Sequence, residues 1–137
     1  MSPATSITNL AADNSADGSP TEDDSKKVSK FVIIGSDTEL HFVYGPLEEY
    51  SYHADLVRRY CEANEIPSGW VRKPDMYEIY GETYRVRGGG WLEEKPAERN
   101  LRFSGYSTAY GGFDRQDILY LFDRAEPFAD YKVEFEP

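Results

Sequence analysis

The first uninterrupted apolar run in the chain is KFVIIGS (30–36), the right length for a strand and without a wet side, so it reads as a central strand covered on both faces. ELHFVYG (39–45) alternates Leu40, Phe42 and Tyr44 with His41 and Val43, which predicts a strand with one face buried and the other partly wet. SDT between the two runs is then a hairpin turn. From residue 51 the period changes. Leu56, Val57, Tyr60 and Cys61 recur at helical spacing with Arg58, Arg59 and Glu62 on the other side. Ser51 is the expected N-cap, Asp55 places an acid in the first turn, and IPSG (66–69) stops the helix.

Between 70 and 104 the pattern is strand-like again, with aromatic and β-branched residues in MYEIY, TYRVRGGGW and LRFSGYS, separated by turn-prone links such as EEKPAERN. Gly88, Gly89 and Gly90 predict a bulge or sharp bend. FDRQDILYLFDRAEP gives a second helix, capped by Asp114, with Ile118, Leu121, Phe122 and Ala125 facing inward and Pro127 ending it. A last strand alternates Tyr131, Val133 and Phe135 with Lys132, Glu134 and Glu136. The order ββα, several strands, αβ implies an α/β domain of the α+β kind, with a mixed sheet and two helices packed on it.

Residues 1–29 do not fit that domain. They contain no Phe, Trp or Tyr, and five acids (Asp13, Asp17, Glu22, Asp23, Asp24) stand against Lys26 and Lys27. Such a segment buries too little to offset its ordering entropy, so it reads as a disordered acidic tail preceding a single domain over 30–137. Removal of residues 1–26 is then expected to leave activity unchanged.

Composition narrows the function. A length of 137 residues suits one domain, and an aromatic content of 15% supplies its core. The lone Cys61 rules out an internal disulfide and a CxxC-type zinc site. No apolar stretch approaches the roughly 18 residues that span a bilayer, and the N-terminus has no signal-peptide pattern, so a soluble cytoplasmic protein is expected. A net charge of −10 with no Lys/Arg block argues against nucleic acid or membrane partners. A phosphorylated substrate remains possible if close-range amides and a few placed cations do what the global field does not.

Two stretches could supply such a site. His53 in EYSYHADLVRRY lies at a helix start, where unpaired amides bind anions and the dipole disfavours protonation of an imidazole. That combination suits a general base beside a phosphate cradle; the alternative is an ordinary hydrogen-bonded histidine. SGYSTAYGG (104–112) packs small residues and glycines around Tyr106 and Tyr110, so its amides and the Ser107 hydroxyl could converge on one anion; the alternative is a glycine-rich turn. His41 has no ligand partner at metal spacing, Cys61 faces a core, and the carboxylates of LEEY and WLEEKPAERN read as solvated surface. Arg85 and Arg87 share a strand face that could point at an anion or simply be wet.

Taken together, KFVII (30–34), YHAD (52–55), GGG (88–90), GYSTAYG (105–111) and DYKVEF (130–135) resemble, in order and spacing, the Janus/ocnus family of eukaryotic protein histidine phosphatases. The resemblance covers residues 30–137 and implies a phosphohistidine-phosphatase-like fold with a small phosphate site needing no metal or cofactor. The implied activity is removal of phosphate from phosphohistidine, and in some members phospholysine, in phosphohistidine-containing proteins; a monomer is the default expectation. His53 matches the catalytic histidine, with Tyr52 and Ala54 beside it in the phosphate loop. Ser107, Thr108 and Ala109 match the second phosphate loop, and Lys30 matches a lysine near the site. One position departs: the family pattern has an arginine after the glycine triplet, where this chain has Trp91. Arg87 or Arg85 is then the candidate replacement cation. The competing expectation is a phosphohistidine-binding domain without useful turnover, which would need amides and cations but no base.

Overall fold

The computed structural model describes residues 3–11 and 26–136. Its main sheet is mixed and six-stranded, in the order β1-β3-β2-β6-β7-β8. The strands are β1 (Ala4–Asn9), β2 (Lys27–Gly35), β3 (Glu39–Pro46), β6 (Arg85–Lys95), β7 (Asn100–Ser104) and β8 (Lys132–Phe135). A separate antiparallel hairpin, β4 (Ser68–Arg72) and β5 (Met76–Ile79), follows the first helix. The helices are α1 (His53–Ala63) and α2 (Arg115–Asp123). This is one α+β domain, as the strand and helix periods predict.

The helices cover opposite faces of the sheet because the strand side chains alternate. Val32, Ile34 and Val43 meet Leu56, Val57, Tyr60 and Cys61 of α1, whereas Phe31, Ile33, Phe42 and Phe103 meet Ile118, Leu121 and Phe122 of α2. Each such fully buried side chain contributes about 1.5–3 kcal/mol relative to exposure. The second face of β3 is therefore drier than its alternation predicts: Val43 is as buried as Phe42, since α1 lies over it. The β2–β3 hairpin turns at 36–38 as expected. The α2 cap is also as expected, with the Asp114 carboxylate accepting from the Gln116 amide at 2.8 Å. That helix ends at Asp123, and Pro127 falls in a separate 3-10 turn, Glu126–Phe128.

The disordered-tail expectation for 1–29 is corrected at both ends. Residues 4–9 form β1, which runs parallel to β3 from Ala4 opposite Glu39 to Asn9 opposite Tyr44, and β2 already begins at Lys27. The rest of that segment, 12–25, lies outside the described residues. What holds β1 is polar as well as apolar. Ser6 Oγ lies 2.6 Å from His41 Nδ1, His41 Nε2 lies 2.7 Å from Glu39 Oε1, and the Tyr84 hydroxyl donates to Glu39 Oε2 at 2.8 Å. These bonds hold the Glu39 carboxyl below the ordinary carboxylate range. Ile7 and Leu10 add packing on the two sides of the sheet.

Candidate functional site

His53 is the first residue of α1 and is only 8% exposed. Tyr52, not Ser51, takes the N-cap position, because the Asp55 carboxylate reaches back to accept the Tyr52 amide at 3.3 Å. The Asp55 amide is in turn bonded to the Tyr52 carbonyl at 3.0 Å. Of the four N–H groups that a helix start leaves without intrahelical carbonyls, this closure uses two, and the other two are those of His53 and Ala54. Ala54 is fully buried, whereas Tyr52 is 42% exposed and stands at the rim.

The imidazole lies over β6. Its Nε2 donates to the Gly90 carbonyl at 3.0 Å, which fixes the tautomer and leaves the lone pair on Nδ1. Burial lowers the His53 pKa below its ordinary value and the nearby Lys30 ammonium lowers it further; the bond to Gly90 acts the other way without overturning the shift. His53 is thus held neutral. The glycine triplet makes this approach possible: a Cβ on Gly89 would lie 3.1 Å from the ring's Cδ2 and 2.5 Å from the Phe31 carbonyl oxygen.

Lys30 enters from β2 on the same face. Its Cα is paired with that of Trp91 on β6, and its ammonium sits 4.6 Å from the centre of the indole. Partial burial lowers the Lys30 pKa, and the Asp55 carboxylate offsets part of that shift. Trp91 in turn meets the His53 ring edge-on, with centroids 5.9 Å apart. On its other side a Cβ on Gly105, which has φ +67°, would fall 2.2 Å from the indole Cδ1, so only a glycine leaves room for the ring.

The second loop is a closed five-residue unit. Ser107 and Gly111 exchange both backbone bonds at 3.0 and 2.8 Å, and the Gly111 carbonyl also accepts the Gly89 amide at 3.2 Å, tying the loop to the strand under His53. Ser107 is buried, and its Oγ accepts the Tyr110 amide at 3.1 Å, leaving the hydroxyl proton to donate elsewhere. Thr108 and Ala109 form the apex of this loop, with Thr108 exposed. Tyr110 anchors the far side: its hydroxyl donates to the Tyr77 carbonyl at 2.6 Å and accepts the Tyr77 amide at 3.2 Å. Burial pushes that hydroxyl up to about 12, so it stays protonated. Composition marked the loop as small and glycine-rich but gave Tyr110 no role. Its partner lies in a hairpin far along the chain, and no local pattern announces it.

Arg87 does not join this group. The register passes from Ile33 opposite Gly88 to Ile34 opposite Val86, so Arg87 is the extra residue of a bulge. It turns to the α2 face, where its guanidinium makes a two-pronged bond with Asp117 at 2.7 and 3.1 Å. The expectation that Arg87 supplies the cation beside His53 is therefore corrected. A broadly open concavity of about 1050 Å³ lies on that side too, lined by Arg87, Asp117, Glu39 and Tyr120. Burial raises the Cys61 thiol pKa, in keeping with a core position. Among the described residues no helix is long and apolar enough to cross a membrane, and no group of three or more His, Cys, Asp or Glu is placed to hold a metal ion.

No curated protein matches the sequence. The model of the Janus/Ocnus family matches residues 22–132, a span that includes Lys30, the YHAD turn, the glycine triplet and the 105–111 loop. With most of its length matched, the chain belongs to the Janus/Ocnus family.

Proposed function

We propose that the chain is a protein histidine phosphatase, hydrolysing the nitrogen–phosphorus bond of phosphohistidine in proteins, with phospholysine as a second substrate class. The observation that carries this reading is the state of His53: buried, neutral, and with Nε2 committed to Gly90 so that Nδ1 is the basic atom. The phosphoryl group would rest on the His53 and Ala54 amides, the amides of Thr108 and Ala109, the Ser107 hydroxyl and the Lys30 ammonium. Tyr52 would stand at the rim. These donors spread the oxygen charge, which in phosphoryl transfer is most of what a protein contributes. Membership of the Janus/Ocnus family supports the same reading.

In the proposed step a water loses its proton to His53 Nδ1 as its oxygen bonds to phosphorus. The P–N bond breaks with its electron pair on nitrogen, and the proton held by His53 passes back to the departing nitrogen, so protons balance over the cycle. A placed base contributes on the order of 10²- to 10⁴-fold.

Steady-state release of phosphate from a phosphohistidine peptide, wild type beside His53→Ala, tests this. The variant is expected to lose at least about a hundredfold in kcat/KM, with its circular dichroism spectrum unchanged. The wild type is expected to keep its activity somewhat below pH 6.5, since the lowered pKa keeps the base unprotonated there. Near-wild-type turnover by the variant would remove His53 from the chemistry. Phosphate binding without turnover in the folded wild type would favour a binding domain instead.

A further inference from the structure

Trp91 stands at the centre of the site without any part in the proposed step. Its indole spans the gap between the two loops, face against the Lys30 ammonium, edge toward the His53 ring, and flank over Gly105. Trp91 is half-buried, so part of it reaches solvent. A Cβ at position 105 would collide with the indole, so the glycine there makes this a fitted position and not a surface aromatic that happens to lie nearby.

We propose that Trp91 determines specificity: its indole receives the ring of a phosphorylated histidine and so favours phosphohistidine over phospholysine. The inference rests on the phosphatase reading above. In the structure Lys30 occupies the indole face. A phosphoryl dianion is a stronger partner for an ammonium than an aromatic face is, because charge-assisted hydrogen bonds outweigh a partly solvated cation–π contact. On arrival of the phosphoryl group, Lys30 therefore moves from the indole to the phosphoryl oxygens, and the face it vacates is open to a planar group bonded to phosphorus. An imidazole fills that face by stacking, whereas the flexible butyl stem of a phospholysine gains only area burial and loses more rotamer freedom. The stacking preference corresponds to about threefold to tenfold in kcat/KM.

The test compares kcat/KM on two peptides of one sequence, carrying phosphohistidine or phospholysine, for wild type, Trp91→Phe and Trp91→Leu. Wild type is expected to favour the phosphohistidine peptide. Trp91→Leu should lose about threefold to tenfold on that peptide and change little on the other, while Trp91→Phe keeps most of the preference. An unchanged ratio in Trp91→Leu, with both peptides still turned over, overturns the inference and leaves the phosphatase reading intact. Turnover of neither peptide by wild type overturns the phosphatase reading. Calorimetric titration with phosphoimidazole and with simple phosphoramidate then decides the inference by itself. A selective loss of phosphoimidazole affinity in Trp91→Leu upholds it, and equal losses overturn it.

Discussion

A single side chain can be in the wrong protonation state for its place, and Glu94 is one. It lies on β6 and is 4% exposed, its Oε2 makes no hydrogen bond, and burial pushes its pKa up to about 7, with Lys27 pulling the other way. The ionisable groups facing it are Lys27 from β2 and Tyr131 before β8, whose own hydroxyl is raised by burial and then by Glu94. Because the folded-state pKa is above the ordinary 4.5, the fold binds a proton that the unfolded chain releases. Stability therefore falls as pH climbs through the window from about 4.5 to about 7. At about 1.4 kcal/mol per unit the effect is on the order of 3 kcal/mol. Glu94→Gln is expected to raise the melting temperature at pH 8 by several degrees and to have little effect at pH 5, as read by thermal scans at the two pH values. Equal effects at both would mean that the carboxyl is not titrating in the fold.

Residue by residue, the site was unevenly legible. His53 could be placed at a helix start from periodicity alone, since the apolar stripe of Leu56, Val57 and Tyr60 fixes where the helix must begin. The bond to Gly90 and the neutral state depend on a strand 37 positions away, which no local pattern encodes. Arg87 was misread for a definite reason. The two-residue period of a strand fails at a bulge, and the bulge that the glycines announce falls on Arg87 itself.

Between elements, the β4–β5 hairpin is the least local part of the design. It packs against α1 and grips the 107–111 loop through Tyr110, so the loop is positioned from outside the main sheet. Tyr77 completes the chain of contacts with its hydroxyl 2.9 Å from Ser68 Oγ. Tyr110→Phe removes a buried hydroxyl and leaves the Tyr77 amide and carbonyl without that partner, a cost of about 1–3 kcal/mol. The expected outcome is a lower urea midpoint together with a raised KM and a kcat less affected, since the proposed function has this loop hold the phosphoryl group and places the base at His53. A changed midpoint with unchanged KM would confine Tyr110 to a structural role. The hairpin's strand content was readable from MYEIY and its neighbours. Its pairing and its grip on the loop were not, because a two-stranded unit outside the sheet has no periodic partner in the sequence.

For the whole molecule, the surprise is the beginning of the chain. ATSITN is short, polar and without aromatics, so composition counted against it. It forms a strand because β3 offers an edge and because Ser6 finds His41 across the pair. The fold's remaining elements carry their own signal in buried periodic residues, whereas β1 borrows its stability from a partner more than thirty positions on. Deletion of residues 1–11 removes Ile7, Leu10, the Ser6–His41 bond and the bond from the Tyr50 hydroxyl to the Leu10 carbonyl at 2.7 Å. It is expected to cost about 3 kcal/mol or more, measured by urea unfolding, whereas the tail reading makes the segment dispensable for activity. An unchanged midpoint would show that β1 docks without contributing.

The same pairing has a consequence for how the protein behaves in company. With β1 in place, the inner ladder of β3 is paired on both sides, to β1 and to β2. Without it, Leu40, Phe42, Val43 and Tyr44 would lie along an open strand edge, the geometry that recruits strands from other chains. Loss of a few polar residues at one terminus would then be felt first as self-association at high concentration, before any loss of chemistry, and β1 acts as the guard of an otherwise adhesive edge.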